Sequence, residues 1–159
     1  MMFKFVVKYL GFLKYIPFTG IVVDGWMMIW SIAFNRKIVL AIQEVEDEIS
    51  TWNGITCSLH KFGGLQFNYR GKEIGHIHSN GVLDILFDRK TKNLLILQGR
   101  VEEHHSFSQS GWTTFYISNE SDIRKVIALL KESYERMVCR LSAITENYEN
   151  NKIDRMLDP

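Results

Sequence analysis

The chain predicts an α+β fold: a single antiparallel β-sheet of about five strands, with N-terminal helices and one long C-terminal helix packed on it. Three observations lead there. Gly63-Gly64, Arg70-Gly71 and Asn80-Gly81 punctuate short runs rich in β-branched and aromatic residues, which is the signature of an antiparallel meander. Ahead of them, apolar residues recur at helical spacing between Arg36 and Ser50. Behind them, Ile123, Val126, Ile127, Leu130, Tyr134, Met137 and Leu141 form one continuous apolar helix face. Strands gathered between helical flanks bury their common apolar side under those helices.

In chain order, residues 1–35 form a hydrophobic N-terminal segment. Its stretch YIPFTGIVVDGWMMIWSIAF, residues 15–34, is nearly uncharged and about as long as a membrane span. Asp24 near its middle is costly inside a bilayer unless paired, whereas Trp26 and Trp30 suit a headgroup boundary. The basic residues Lys4, Lys8, Lys14, Arg36 and Lys37 favour anionic lipid. A packed helix, a segment touching a membrane surface and a true span all stay open. The lysines resemble the start of a signal peptide, but no clear small-residue cleavage site follows.

Residues 36–146 make the α+β domain. Ile38, Ile42, Val45 and Ile49 line one side of an amphipathic helix that Asn53-Gly54 stops. ITCSLH, LQFNY, EIGHIH and VLDILF read as successive strands. RKTKNLLILQG fits a buried strand or a short helix, and its polar lead-in and Gly99 at the C-terminal end favour the helix. GWTTFYIS is a further strand, and Asn119 or Ser121 caps the long helix. Residues 147–159 are a polar tail expected to fray.

With 159 residues, 46% of them hydrophobic and 13% aromatic, the chain can bury a core and is not of disordered composition. A net charge of +1 excludes a general pull towards nucleic acid. Cys57 and Cys139 are too few for a disulfide framework and read as free thiols, which points to the cytoplasm. Asn119-Glu120-Ser121 is a glycosylation pattern that matters only in a secretory context. Nothing in the sequence fixes an oligomeric state.

The chemistry-bearing residues cluster. In a strand, residues i and i+2 share a face, so His76 and His78 point together with Ile74, and Glu73, Gly75 and Ile77 face the other way. Asp84 interrupts the apolar run VLDILF, across Asn80-Gly81 from the histidines. If that turn closes a two-residue hairpin, Asp84 comes within their reach. A buried carboxylate needs a partner, and the candidates are an imidazole or the Arg100 guanidinium. His104 and His105 are adjacent in extended chain, so one of them joins the same face. His60 reads as a surface residue, Glu102 and Glu103 as solvent-facing, and Trp112 as a core or pocket wall. A carboxylate beside histidines serves either a hydrogen-bonded structural cluster or a general base of tuned basicity. Spacing leaves both open.

The segments GKEIGHIHSNGVLDILF, GRVEEHHSFSQSGWTTFYIS and IRKVIALLKESYERM together resemble the domain shared by fungal luciferases and many bacterial proteins. The matching positions are His76, His78, Asp84, Gly99, Arg100, His104, His105, Gly111, Trp112, Ser133 and Tyr134, and the likeness covers roughly residues 50–138. In the fungal enzymes the counterparts of Asp84 and His104 differ, so those two follow the bacterial version.

The resemblance implies a small-molecule ligand and O₂-dependent oxidation of an enol or hydroxy-pyrone-like substrate, begun by deprotonation to an enolate. It implies His76, His78, His105 and Asp84 as catalytic groups. His76 or His78 is the base, Asp84 orients one of them, Arg100 binds an anion, and His104 and Trp112 line the substrate. Either no cofactor is required or a single divalent metal is held by His76, His78 and His105. Fungal luciferases also associate with membranes through an N-terminal hydrophobic segment, which implies membrane-surface contact for residues 1–35. The competing expectation is a non-catalytic ligand-binding or membrane-associated module whose His/Asp cluster is structural.

Overall fold

The computed structural model describes residues 19–34 and 36–157. Two helices come first, α1 (Thr19–Phe34) and α2 (Arg36–Ser50). Strands β1 (Ile55–Leu59), β2 (Leu65–Tyr69), β3 (Lys72–Ile77) and β4 (Val82–Leu86) follow, then α3 (Arg89–Leu97), β5 (Glu102–Glu103), β6 (Trp112–Tyr116) and α4 (Asp122–Leu157). The strands form one antiparallel sheet in the order β1-β2-β3-β4-β6-β5. The sixth strand beyond the five expected is the two-residue β5, too short to leave a period in the sequence. The helix reading of RKTKNLLILQG holds: Asp88 caps α3 by accepting from the Thr91 amide, and Gly99 turns the chain out with φ +67°. The polar tail differs from expectation, since α4 continues without a break to Leu157.

One sheet face is apolar. Phe67, Ile77, Leu83 and Ile85 are sealed beneath Val45 and Ile49 of α2 and Val126, Leu129 and Leu130 of α4. The amphipathic period of α2 is realised in Ala41, Val45 and Ile49, its buried side. Ser133 of α4 locks helix to sheet: its hydroxyl faces the carbonyls of Ile74 at 3.0 Å and Leu86 at 2.8 Å. Next to it, the Tyr134 hydroxyl donates to the Asn53 carbonyl at 3.0 Å.

Two irregularities decide what the opposite face carries. The β2–β3 register steps from Phe67↔Gly75 to Asn68↔Glu73, so Ile74 bulges out of the ladder and packs in the core. Directly paired residues share a face, so Glu73 sits on the side of Asn68, Gln66 and His76. The uninterrupted alternation read from the sequence had put Glu73 on the other side.

The second irregularity is the β3–β4 turn. His78 and Val82 face one another across three residues, Ser79, Asn80 and Gly81, so the turn is not the two-residue hairpin expected. A two-residue loop would set Asp84 opposite Ile77; the extra residue sets it opposite His76. Gly81 is required there, with φ +84° and an added Cβ meeting Ile38 at 3.0 Å.

The described part of the N-terminal segment is the single helix α1, and among the described residues no helix is long and apolar enough to cross a membrane. Residues 15–18 of the hydrophobic stretch, and Lys4, Lys8 and Lys14, lie outside the described residues.

Replacing Ser133 with alanine removes the donor that two buried carbonyls share. A loss of about 1–3 kcal/mol of stability is expected, read as a lower denaturant midpoint at unchanged m-value in urea unfolding.

Candidate functional site

The site begins with Asp84. Its strand β4 lies between β3 and β6, so its cross-strand neighbours are His76 and Thr114 and all three side chains share the sheet face away from the core. The carboxyl is 1% exposed. The Thr114 hydroxyl donates to Oδ1 at 2.5 Å. Around Oδ2 stand three imidazole Nε2 atoms: His76 at 3.5 Å, His104 at 3.5 Å and His78 at 3.8 Å. Burial opposes the charge on Asp84, but the contacts from His104, His76 and Thr114 outweigh it and hold the carboxyl far below the usual carboxylate range.

The partners of each ring identify its protons. His104 accepts two backbone N–H groups at Nδ1, from Ser106 at 3.0 Å and Phe107 at 3.1 Å. That nitrogen therefore carries a lone pair, and the proton sits on Nε2, aimed at Asp84. His76 has a carboxylate on both sides, Glu73 Oε1 at 2.7 Å from Nδ1 and Asp84 beyond Nε2. Burial alone would lower its pKa, but Asp84 and Glu73 reverse the sign and raise it, which favours the protonated form of this ring. His78 lies at right angles to His76, its ring centroid 5.0 Å away, and its Nδ1 faces Asp24 Oδ1 at 3.6 Å.

Asp24 reaches this face from α1. It is buried and accepts from the Ser79 amide at 3.1 Å and the Ser79 hydroxyl at 2.8 Å. Burial works against its ionisation, but His78 and Ser79 prevail and lower its pKa. The β1–β2 loop approaches α1 at Gly63, where an added Cβ would fall 2.2 Å from the Asp24 Cβ. The acid that spoke against a membrane span is therefore a component of the polar cluster.

His60 is corrected too. It is 4% exposed, stacked on His76 at 3.8 Å between centroids and 12° between planes. Burial and the neighbouring His76 charge push its pKa down to about 4. It stands one residue beyond β1, where strand alternation carries no signal; two positive-φ glycines, Gly63 and Gly64, then fold the loop back over β3.

The remaining expected residues divide. Trp112 is half-buried with its ring 5.4 Å from His76 and 6.3 Å from His104, a wall as expected. His105 is exposed and stacks on His104 at 4.4 Å; burial of its ring atoms and then His104 lower its pKa. Arg100 is not brought to the imidazoles. It is exposed and pairs with Glu132 of α4 at 3.3 Å, which leaves Asp84 to the histidines. A groove of about 560 Å³ lined by Leu86, Asp88, Glu132, Arg136 and Arg140 lies on that same side and contains no imidazole. Lys92 is buried, and its ammonium donates to the Ser108 and Ser110 carbonyls, anchoring the loop that carries His104 and His105. In the sequence, Lys92 is one of two lysines in the polar run RKTKN.

Among the described residues, two groups of side chains offer donor atoms within 4.8 Å of one another: His76, His78 and Asp84, and His60, Glu73 and His76. His105 belongs to neither, so the structure does not assemble the His76–His78–His105 set.

Residues 71–133 match the family model described as the luciferase domain, which assigns that segment to the luciferase-domain family. No curated protein and no solved structure matches the chain.

The imidazoles make stability pH-dependent in two opposed ways. His76, raised in the fold, contributes stability fully present below about pH 6.5 and lost as pH rises through its folded value. His60 and His105, lowered in the fold, contribute stability present above about pH 6.5 and lost as pH falls, for His60 towards about 4. Melting temperature of chelator-treated protein should therefore peak near neutrality, and His60→Gln should shallow the acid limb alone. A wild-type profile flat between pH 4 and 9 would contradict this assignment of protons.

Proposed function

We propose that this luciferase-domain protein is a small-molecule enzyme whose working group is the His/Asp cluster on the open sheet face. The observation that supports it is the convergence of three Nε2 atoms on one oxygen of a buried carboxylate, 3.5–3.8 Å away. Aromatic rings flank them, the half-buried Trp112 beside His76 and His104 and the exposed Phe107 beside His104. Buried charge this concentrated is costly to assemble and is characteristic of sites that tune proton transfer.

His76, held as a cation between two carboxylates, is a poor base. The base role falls to His105, which reaches solvent, has a lowered pKa and stacks on the His104–Asp84 pair. Its neutral imidazole takes the acidic proton of an enol or hydroxy-pyrone-like substrate lying against Trp112. The resulting enolate is electron-rich, and its oxidation by O₂ is the step that the family likeness implies. The charge on His76 favours the anion.

A general base contributes about 10²–10⁴-fold in rate. Oxygen uptake with a panel of 4-hydroxy-2-pyrones should fall by at least about 10²-fold in His105→Ala, with the melting temperature at neutral pH preserved because the residue is exposed. No turnover of the panel by wild type, together with a sharply lowered melting temperature in both His76→Ala and His78→Ala, would sink the enzyme reading. That result would favour a non-catalytic ligand-binding module, a reading supported by how completely the cluster's own members occupy one another: Asp84, His76 and His104 are all buried.

In the cell, this reading puts the protein in the cytoplasm against a membrane surface. Val22, Trp26 and Ile29 follow helical spacing on α1, and all three are exposed, 55–68%. Such an apolar stripe suits the acyl boundary. The full chain should co-sediment with anionic phospholipid vesicles, and Ile29→Glu should reduce the bound fraction severalfold. Equal sedimentation of the two would remove the membrane from the reading.

A further inference from the structure

The two donor groups are not equivalent. A metal ion is held along an imidazole lone pair, in the plane of the ring, at about 2.0–2.1 Å for zinc. His60 and His76 are stacked nearly parallel, 3.8 Å apart, so their in-plane lone pairs run side by side and do not meet at one point. His76 and His78 are perpendicular, 89° between planes, with both Nε2 atoms turned to Asp84 Oδ2. Those three can converge on a single ion.

Two of the three, His76 and Asp84, also have the hydrogen-bonded backing a metal ligand needs, and the third has a carboxylate facing it. Ligating histidines donate their second nitrogen to a carboxylate or carbonyl, which fixes the tautomer and raises basicity. Glu73 hydrogen-bonds His76 Nδ1 at 2.7 Å, whereas Asp24 faces His78 Nδ1 at 3.6 Å, an ion-pair contact longer than a hydrogen bond. Thr114 occupies Asp84 Oδ1 and leaves Oδ2 facing the rings. His104 is different: its Nδ1 takes two backbone N–H donors, so its Nε2 bears a proton and can only donate to Asp84. The carboxyl groups of Asp24, Glu73 and Asp84 all face these imidazoles.

We infer that His76, His78 and Asp84 form a binding site for one divalent first-row transition ion, with Glu73 and Asp24 orienting the two imidazoles and His104 and Thr114 orienting the carboxylate. Two nitrogens and one oxygen are the donor set of non-haem iron(II) sites, and it is also accessible to manganese, cobalt and zinc. The inference deepens the preceding reading only in taking this cluster as the functional site.

Cobalt(II) alone is the probe, added to full-length protein purified without a histidine tag and treated with EDTA. Wild type should bind one equivalent and develop visible d–d absorption. Asp84→Asn should abolish that signal, and Glu73→Gln, half-buried and isosteric, should weaken binding by about 10–100-fold while keeping the fold. His105→Ala should bind as wild type does. No stoichiometric binding by folded wild type, or equal affinity in Glu73→Gln and wild type, overturns the site; so does binding that His105→Ala abolishes. Oxygen uptake by protein that binds no cobalt would remove this inference and spare the enzyme reading. One bound ion with no turnover would do the reverse.

Discussion

Removing a carboxylate from water costs several kcal/mol unless its charge is matched, and Asp84 places that condition at the centre of the sheet. Its position admits no solvent, so the neighbouring strands must bring the compensation with them. β3 brings His76, β6 brings Thr114, the end of β3 brings His78, and the chain beyond β5 brings His104. The imidazoles need compensation in turn, and it comes from Glu73 and from Asp24 on a helix outside the sheet. The polar face is thus ordered from its most deeply buried charge outward, each shell satisfying the one inside it. The opposite face follows simple burial, in which Phe67, Ile77, Leu83 and Ile85 meet α2 and α4.

Two departures from regular pairing make this possible. Without the bulge at Ile74, Glu73 would point into the apolar layer and His76 would lose its partner at Nδ1. Without the third turn residue, Asp84 would do the same. Both departures are one residue long, and a slip of one residue exchanges the faces of a strand. The polar site therefore depends on backbone irregularity as much as on residue choice.

That dependence marks what the sequence makes legible. The sheet, its helices and the short helix before Gly99 follow from hydrophobic period and turn residues, and His76, His78, Asp84 and Trp112 stand out because polar or aromatic groups interrupt strands. Glu73 and His60 did not stand out. Glu73 is displaced by a bulge that has no marker residue, and His60 lies past a strand end where periodicity stops. Asp24 was visible as an anomaly in an apolar helix, yet its partners Ser79 and His78 are 54 or more residues away in the chain. Arg100 misled in the opposite sense: a cation close in sequence to His104 faces the α4 side, because the chain turns out of α3 at Gly99 before reaching β5.

The contact between Asp24 and the β3–β4 turn has a practical side. The segment assigned to the luciferase domain starts at residue 71, so a fragment cut to that segment would omit Asp24, His60 and the whole of α1. Such a piece would keep the signature histidines and lose the acid that steadies one of them. For anyone cloning a trimmed version, the greasy N-terminal helix supplies one of the cluster's carboxylates, and discarding it for the sake of solubility discards that contact too.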